Sequence, residues 1–283
     1  MSYFPDSLRI DLGMYIDRAI EWLMHNFGGF FDAVSAGIIW FLRQIEEIMF
    51  FVPWWAVLIV IFLITWKIIN TKAALVYSFM IFLVGCLGLW ESMILTLAIV
   101  LSSVVFSMVI GIPLGILMAA SDRFNAYTRP VLDAMQTMPS FVYLIPALLL
   151  FGMGKVPAVF ATMIYAIPPV MRLTDLGIRN VPREMIEAAH SFGSSNSQTL
   201  LKVQLPQALP TIMAGINQTI MMALSMVVVA SMIGARGLGL DVLQAIQHID
   251  IGQGFEAGVC IVFLAIIIDR LTQSIGGKFK YPK

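Results

Sequence analysis

"EAAHSFGSSNSQTLLKVQLP", residues 187–206, is a polar interruption between the apolar runs 157–173 and 208–234. Pro182, just upstream, suits the first turn of a helix. Met185, Ala188, Ala189 and Phe192 then fall at i, i+3, i+4 and i+7, which gives one apolar face. Gly193 can supply a left-handed stop. Ser194, Ser195 and Asn196 offer a new N-cap, and Leu200, Leu201 and Val203 make a second short apolar stripe that Pro206 ends. The pattern predicts a small helix-turn-helix whose apolar, small-residue face would fit a groove on a partner. The same pattern also suits a surface loop packed on its own bundle.

Around this stretch the chain is that of an integral membrane protein. Of its 283 residues 59% are hydrophobic and only 12% charged, against about a quarter charged in soluble domains. Formal net charge is zero, so there is no basic surface for nucleic acid. Apolar runs lie at 54–69, 73–90, 92–120, 138–152, 157–173, 208–234 and 254–272. A span needs roughly 20 residues, or as few as about 17. Only 138–152, with Pro139 and Pro146 inside it, falls clearly short. Cys86 and Cys260 sit in apolar runs, where small core residues are a better reading than a disulfide or metal framework. The expectation is an all-α polytopic bundle of about seven spans.

Before the first span, Ile10, Met14, Leu23, Met24 and Phe27 recur at helical spacing against Asp17, Arg18, Glu21 and His25. Phe31, Val34, Ile38, Phe41, Leu42, Ile45 and Met49 continue as a stripe, with Asp32, Arg43, Gln44, Glu46 and Glu47 off it. Two-faced helices of this kind lie in the membrane interface more often than they cross it; the alternative is an eighth span within 29–50, which would move only the N-terminus. We therefore expect an amphipathic region over 1–52, a transmembrane domain over 53–275 with its polar loop at 177–206, and a tail at 276–283. Lys67 and Lys72, Arg123 and Arg129, Arg172, Arg179, Arg183 and Lys202, and Lys278, Lys280 and Lys283 all fall on one side of seven spans. Basic loops mark that side as cytoplasmic, which leaves the N-terminal region outside. In the third span Ser103, Ser107, Gly111 and Gly115 recur every fourth residue, a face that another helix can approach closely; Pro113 is expected to bend it.

Glu187-Ala188-Ala189, three residues, Gly193, nine residues, then Val203-x-Leu205-Pro206 resembles the EAA signature of ABC importer permeases, with Val203 where the family usually has Ile. "LDAMQTMPSFVYLIPALLLFGMG" (132–154), "GINQTIMMALSMVVVASMIGARGLG" (215–239) and "FGGFFD" (27–32) are similar to glycine betaine permeases of osmoprotectant ABC importers. The resemblance implies a type I importer permease, multi-pass in a bacterial plasma membrane. It implies a homodimer, two cytosolic ATPase subunits and an extracellular substrate-binding protein. It also implies that Glu187, Ala188, Ala189, Gly193, Leu205 and Pro206 couple to the ATPase. No phosphate-binding Gly-x-x-x-x-Gly-Lys-Ser/Thr loop occurs here, so no cofactor is expected on this chain, with ATP and Mg on the ATPase. Choline, carnitine and proline betaine are alternative cargoes in the same family.

Alternating access needs a cavity made by irregular helices. Gln136, Thr137, Ser140 and Tyr143 at the start of the 138–152 run, and Asn217, Gln218, Thr219 and Ser225 in the sixth, are candidate lining residues. Interhelical hydrogen bonding is the competing reading of each. Tyr143, Phe141 and Tyr165 could hold a quaternary ammonium by their faces, although packing explains such aromatics as well. Gly234, Gly237 and Gly239 of "GARGLG" permit a sharp turn, which the resemblance places near an external gate, with Arg236 in solvent. An ion-coupled transporter or channel would carry charges inside its spans, where this sequence has few. His25, His190 and His248 lie too far apart to argue for a membrane enzyme.

Overall fold

The computed structural model describes residues 12–278. Residues 1–11, Lys280 and Lys283 lie outside this range. Among the described residues the regular structure is helical throughout: α1 (Leu12–Phe51), α2 (Trp54–Ile68), α3 (Thr71–Cys86), α4 (Trp90–Ala120), α5 (Asp122–Thr137), α6 (Leu144–Phe151), α7 (Lys155–Arg179), α8 (Arg183–Ser191), α9 (Asn196–Thr199), α10 (Leu205–Ala230), α11 (Leu238–His248) and α12 (Ile251–Lys278). Each apolar run is helical over most of its length. Four helices are long and apolar enough to cross a membrane, two bent pairs raise the number to six, and α3 is a shorter apolar helix. The total is close to the seven expected.

The small-residue face of α4 sets the centre of the bundle. Ser103 Oγ donates to the Val159 carbonyl at 3.3 Å and Ser107 Oγ to that of Met163 at 3.0 Å, both on α7. A Cβ on Gly111 would stand 2.4 Å from Val170 Cγ1, and one on Gly115 2.6 Å from Thr174 Cβ. The absence of side chains at these two positions lets the helices approach closely enough for serine hydroxyls of α4 to reach carbonyls of α7, as packing in lipid favours. On the opposite side of α7, Gly177 faces Thr211 and Ala208, Gly215 faces Leu173, and Thr219 Oγ1 donates to the Ala166 carbonyl at 2.9 Å. α7, held between α4 and α10, is buried along most of its length. Pro113 does not break α4, which runs unbroken through it.

α1 is two helical segments joined at a kink, where Phe27 has non-helical backbone (φ −121°, ψ 17°), next to Gly28 and Gly29. Its first half exposes Tyr15, Ile16, Trp22 and Met24. Its second half enters the bundle: Ile38 and Leu42 join the core around Ala98, Val104 and Val159, and Phe41 tilts against Phe106 with centroids 5.1 Å apart. Lys155, the first residue of α7, pairs with Glu46 at 2.6 Å. α1 and α2 meet at a 97° bend, after which Pro53 caps α2 in extended geometry. Neither cysteine is bridged; Cys260 is buried, whereas Cys86 is exposed rather than a core residue.

The 138–152 run is the second half of a bent pair. α5 stops at Thr137 because Pro139 pushes Met138 out of the helical region (φ −68°, ψ 136°). A 3-10 turn over Ser140–Tyr143 then leads into α6, 111° from α5.

Candidate functional site

α8 has the amphipathic pattern read from the sequence, and none of its residues is buried. Pro182 stands one position earlier than expected, as the N-cap (φ −54°, ψ 135°). At the other end Gly193 takes φ +83°. Its N–H donates to His190 O at 2.8 Å, and Ser194 N–H donates to Ala189 O at 3.1 Å. That pair of bonds is a Schellman stop. Phe192 is 91% exposed beside Met185, Ala188 and Ala189, and the exposed Glu187 carboxylate has no partner among the described residues. Ile186 and Ala189 are half-buried against the following turn, but Met185, Ala188 and Phe192 are left exposed, and an apolar face left open in this way is shaped for contact with another chain.

The second helix departs from expectation. Ser195 caps it, with Gln198 completing a reciprocal capping box, but Pro206 does not end it. The helix passes through a π turn, Leu200–Gln204, straight into α10. Leu205 N–H reaches back to Leu200 O, so the wide turn absorbs the register change, and Pro206 sits in the first turn of α10, where a missing N–H costs little. The loop is thus rigidly continuous with a transmembrane helix.

The candidate lining residues divide. Asn217 is not free to line a path: its Nδ2 donates to Asp269 Oδ1 at 2.8 Å, and its Oδ1 accepts from Thr272 Oγ1, tying α10 to α12. Thr219 is spent on α7. Tyr143 is buried, stacks edge-on with Tyr165 at 5.6 Å, and donates its hydroxyl to the Met135 carbonyl across the break. It pins the α5–α6 corner. Gln136 and Thr137, with Phe141 beyond the bend, are exposed, and Ser140 is half-buried. Gln218 and Ser225, seven residues apart on α10, are exposed as well, with Ser225 bonded only to its own helix.

The glycine turn is tightly built. Gly234 takes φ +96° against Gly154, whose N–H donates to Ile233 O at 2.9 Å. Gly237 takes φ +126°, and a Cβ there would lie 2.5 Å from Thr96 Oγ1, the atom that accepts from Leu238 N–H. A Cβ on Gly239 would meet Val227 O at 2.7 Å. Arg236 is exposed at the apex.

One cluster was missed in the sequence. Asp175 is buried, with Asn125, Arg129 and Arg179 around it, and Arg179 also reaches Asp122. The signal was present as a carboxylate four residues before an arginine near the end of an apolar helix.

The bent span, the small-residue packing and the exposed loop helix fit a membrane transport permease. Residues 111–280 match the family described as binding-protein-dependent transport system inner membrane component, and the chain belongs to it. It is 46% identical over 272 residues to the glycine betaine transport system permease protein OpuAB of Bacillus subtilis, covering 96% of each chain. It is 47% identical over 267 residues to the glycine betaine/proline betaine permease ProW of Escherichia coli, covering 94% of this chain and 75% of that one. It is 47% identical to the glycine betaine/carnitine permease GbuB of Listeria monocytogenes, covering 98% and 99%. Among solved structures, the inward-facing MetNI methionine ABC transporter has the same fold, at a TM-score of 0.61 and 23% identity over 68% of this chain and 96% of that one. The chain is a multi-pass inner-membrane component with the fold of a type I importer permease.

Proposed function

We propose that this chain is the translocating subunit for glycine betaine or a close quaternary ammonium relative. It works as a homodimer with two cytosolic ATPase subunits, which hold ATP and Mg, and an extracellular substrate-binding protein. The cargo is inferred from three relatives at 46–47% identity whose names all include glycine betaine. The coupling role rests on the exposed apolar face of α8, none of whose residues is buried, at the end that the Lys/Arg distribution marks as cytoplasmic. Glu187, Ala188, Ala189 and Phe192 enter a cleft of the ATPase, and Leu205 and Pro206 join the docked loop to α10.

Reconstituted vesicles test the energy supply. Betaine uptake is expected to require ATP, the ATPase and the binding protein, and to survive a protonophore at constant ATP. Uptake by this chain alone under an ion gradient would favour an ion-coupled transporter. Competition by unlabelled choline, carnitine and proline betaine ranks the cargo.

Gln136, Thr137, Gln218 and Ser225 are our candidates for the lining of the path, on exposed faces of α5 and α10. Gln218→Ala is expected to alter betaine uptake while leaving the melting temperature in detergent unchanged. Asn217→Leu should lower that temperature, because it removes the interhelical donor to Asp269 and the acceptor of Thr272 and leaves the carboxylate only its same-helix partner Gln273, at a cost of about 1–3 kcal/mol. The reverse pattern would exchange the two assignments.

A further inference from the structure

Movement of α8 can enter the bundle by two routes, α9 into α10 or the last turn of α7. The second route is built from charges. Asp175, with 4% of its side chain exposed, accepts from Arg179 Nε at 2.6 Å and from Asn125 Nδ2 at 2.9 Å, with Arg129 Nη2 at 3.7 Å. Arg179 sends Nη1 to Asp122 Oδ1 at 2.6 Å and Nη2 to the Met118 carbonyl at 2.7 Å. One carboxylate and one guanidinium thus join the end of α4, the start of α5 and the end of α7, three residues before the N-cap of α8. Further along, Arg172 of α7 pairs with Asp133 near the end of α5. The Arg172 Nε is buried with no acceptor among the described residues, so this second link is not fully satisfied in the present arrangement.

α5 has one apolar anchor, Leu132 with Met135 beside it, packed on Met118, Met163, Ile167 and Met171; its other ties to the bundle near Asp175 and Arg172 are polar. Asn125 and Leu132 are its buried residues, whereas α4 and α10 press on α7 through glycines and small side chains. A helix attached by ion pairs can exchange partners between two arrangements; interdigitated cores resist such change. α5 ends at Gln136 and Thr137, next to the bend that Tyr143 pins.

We propose that Asp175 and Arg179 form a transmission clamp that carries movement of α8 into α5, and through α5 to the Met138–Pro139 break beside the candidate path. Both are positioning residues and touch neither cargo nor nucleotide. The proposal rests on α8 being the ATPase socket.

The test uses the full transporter in liposomes, with phosphate release and betaine uptake measured together. Asp175→Asn keeps the shape and removes the charge; Arg179→Lys keeps the charge and removes the forked geometry. For both, the ATPase is expected to co-purify in normal amount and to hydrolyse ATP, while ATP consumed per betaine rises about tenfold, within the usual range of site-to-site coupling. Asp175→Glu should restore part of the ratio. Uptake and hydrolysis falling together at an unchanged ratio would overturn the clamp, as would loss of ATPase co-purification from Asp175→Asn. If Asp175→Asn does not insert, Asp122→Ala, which removes only the exposed partner of Arg179, carries the test: the ratio is expected to rise, and an unchanged ratio overturns the proposal. Normal ATPase binding by Phe192→Asp would instead refute the socket itself, whatever the clamp variants do.

Discussion

Phe192→Asp is expected to strip the ATPase from the purified permease and to abolish betaine uptake, with the protein still in the membrane at normal level. Phe192 is 91% exposed at the C-cap of α8 and contributes nothing to the chain's own core. Burying a phenylalanine in a partner's cleft is worth about 2–3 kcal/mol, so its replacement by a charge weakens docking by roughly 30- to 150-fold. Gly193→Val should act in the same direction for a different reason. A Cβ there meets nothing within 4 Å, but φ is +83°. The strain of about 1–3 kcal/mol that a β-branched residue suffers there unwinds the stop and re-aims α9. Ala189→Trp should block docking sterically. Glu187→Ala should weaken docking least, since the apolar face remains. Co-purification of the ATPase with each variant, alongside uptake, is the measurement. Normal pull-down by Phe192→Asp would refute the socket, whatever the other three variants do.

Gly115→Val is expected to be severely damaging within the membrane region. Its Cβ would stand 2.6 Å from Thr174 Cβ and 2.7 Å from the Met171 carbonyl. A backbone oxygen cannot swing aside as a side chain can, so α4 and α7 must part. Overpacking of this kind costs about 1–3 kcal/mol or more, and separating the helices also strains the neighbouring Ser107–Met163 bond. Little folded protein should be recovered, and what remains should melt early by size-exclusion thermostability. Gly258→Ala on α12, where a Cβ meets nothing within 4 Å, is the control and should behave as the parent. A Gly115→Val protein as stable as that control would contradict the close α4–α7 approach.

Much of this molecule follows from local chemistry. The seven apolar runs fix helices because a backbone in lipid must satisfy its own hydrogen bonds. The four-residue rhythm of Ser103, Ser107, Gly111 and Gly115 marks a close interface, although it does not name α7 as the partner. Met185 to Gly193 write out a short amphipathic helix with its stop, because periodicity and a left-handed glycine are properties of neighbouring residues. Ser195 could be read as a cap for the same reason.

What depended on the fold are the contacts between residues far apart in the chain. Asn217 and Gln218 are adjacent amides with the same apparent chemistry; only the position of Asp269, 52 residues on, makes one a tie and leaves the other exposed. Tyr143 reads as an aromatic available to a cation until the α5–α6 bend brings the Met135 carbonyl to its hydroxyl. Pro206 reads as a helix end because a π turn upstream has no periodic signature. The second half of α1 enters the bundle because α4 and α7 offer it an apolar groove, which its own two-faced pattern cannot reveal. Asp175 is the extreme case. A lone carboxylate near the end of an apolar helix costs too much to bury unpaired, so the chain alone could say only that it needs partners. Arg179 is a local partner one turn on in the same helix; the folding of α5 against α7 adds Asn125 and Arg129 at the same point.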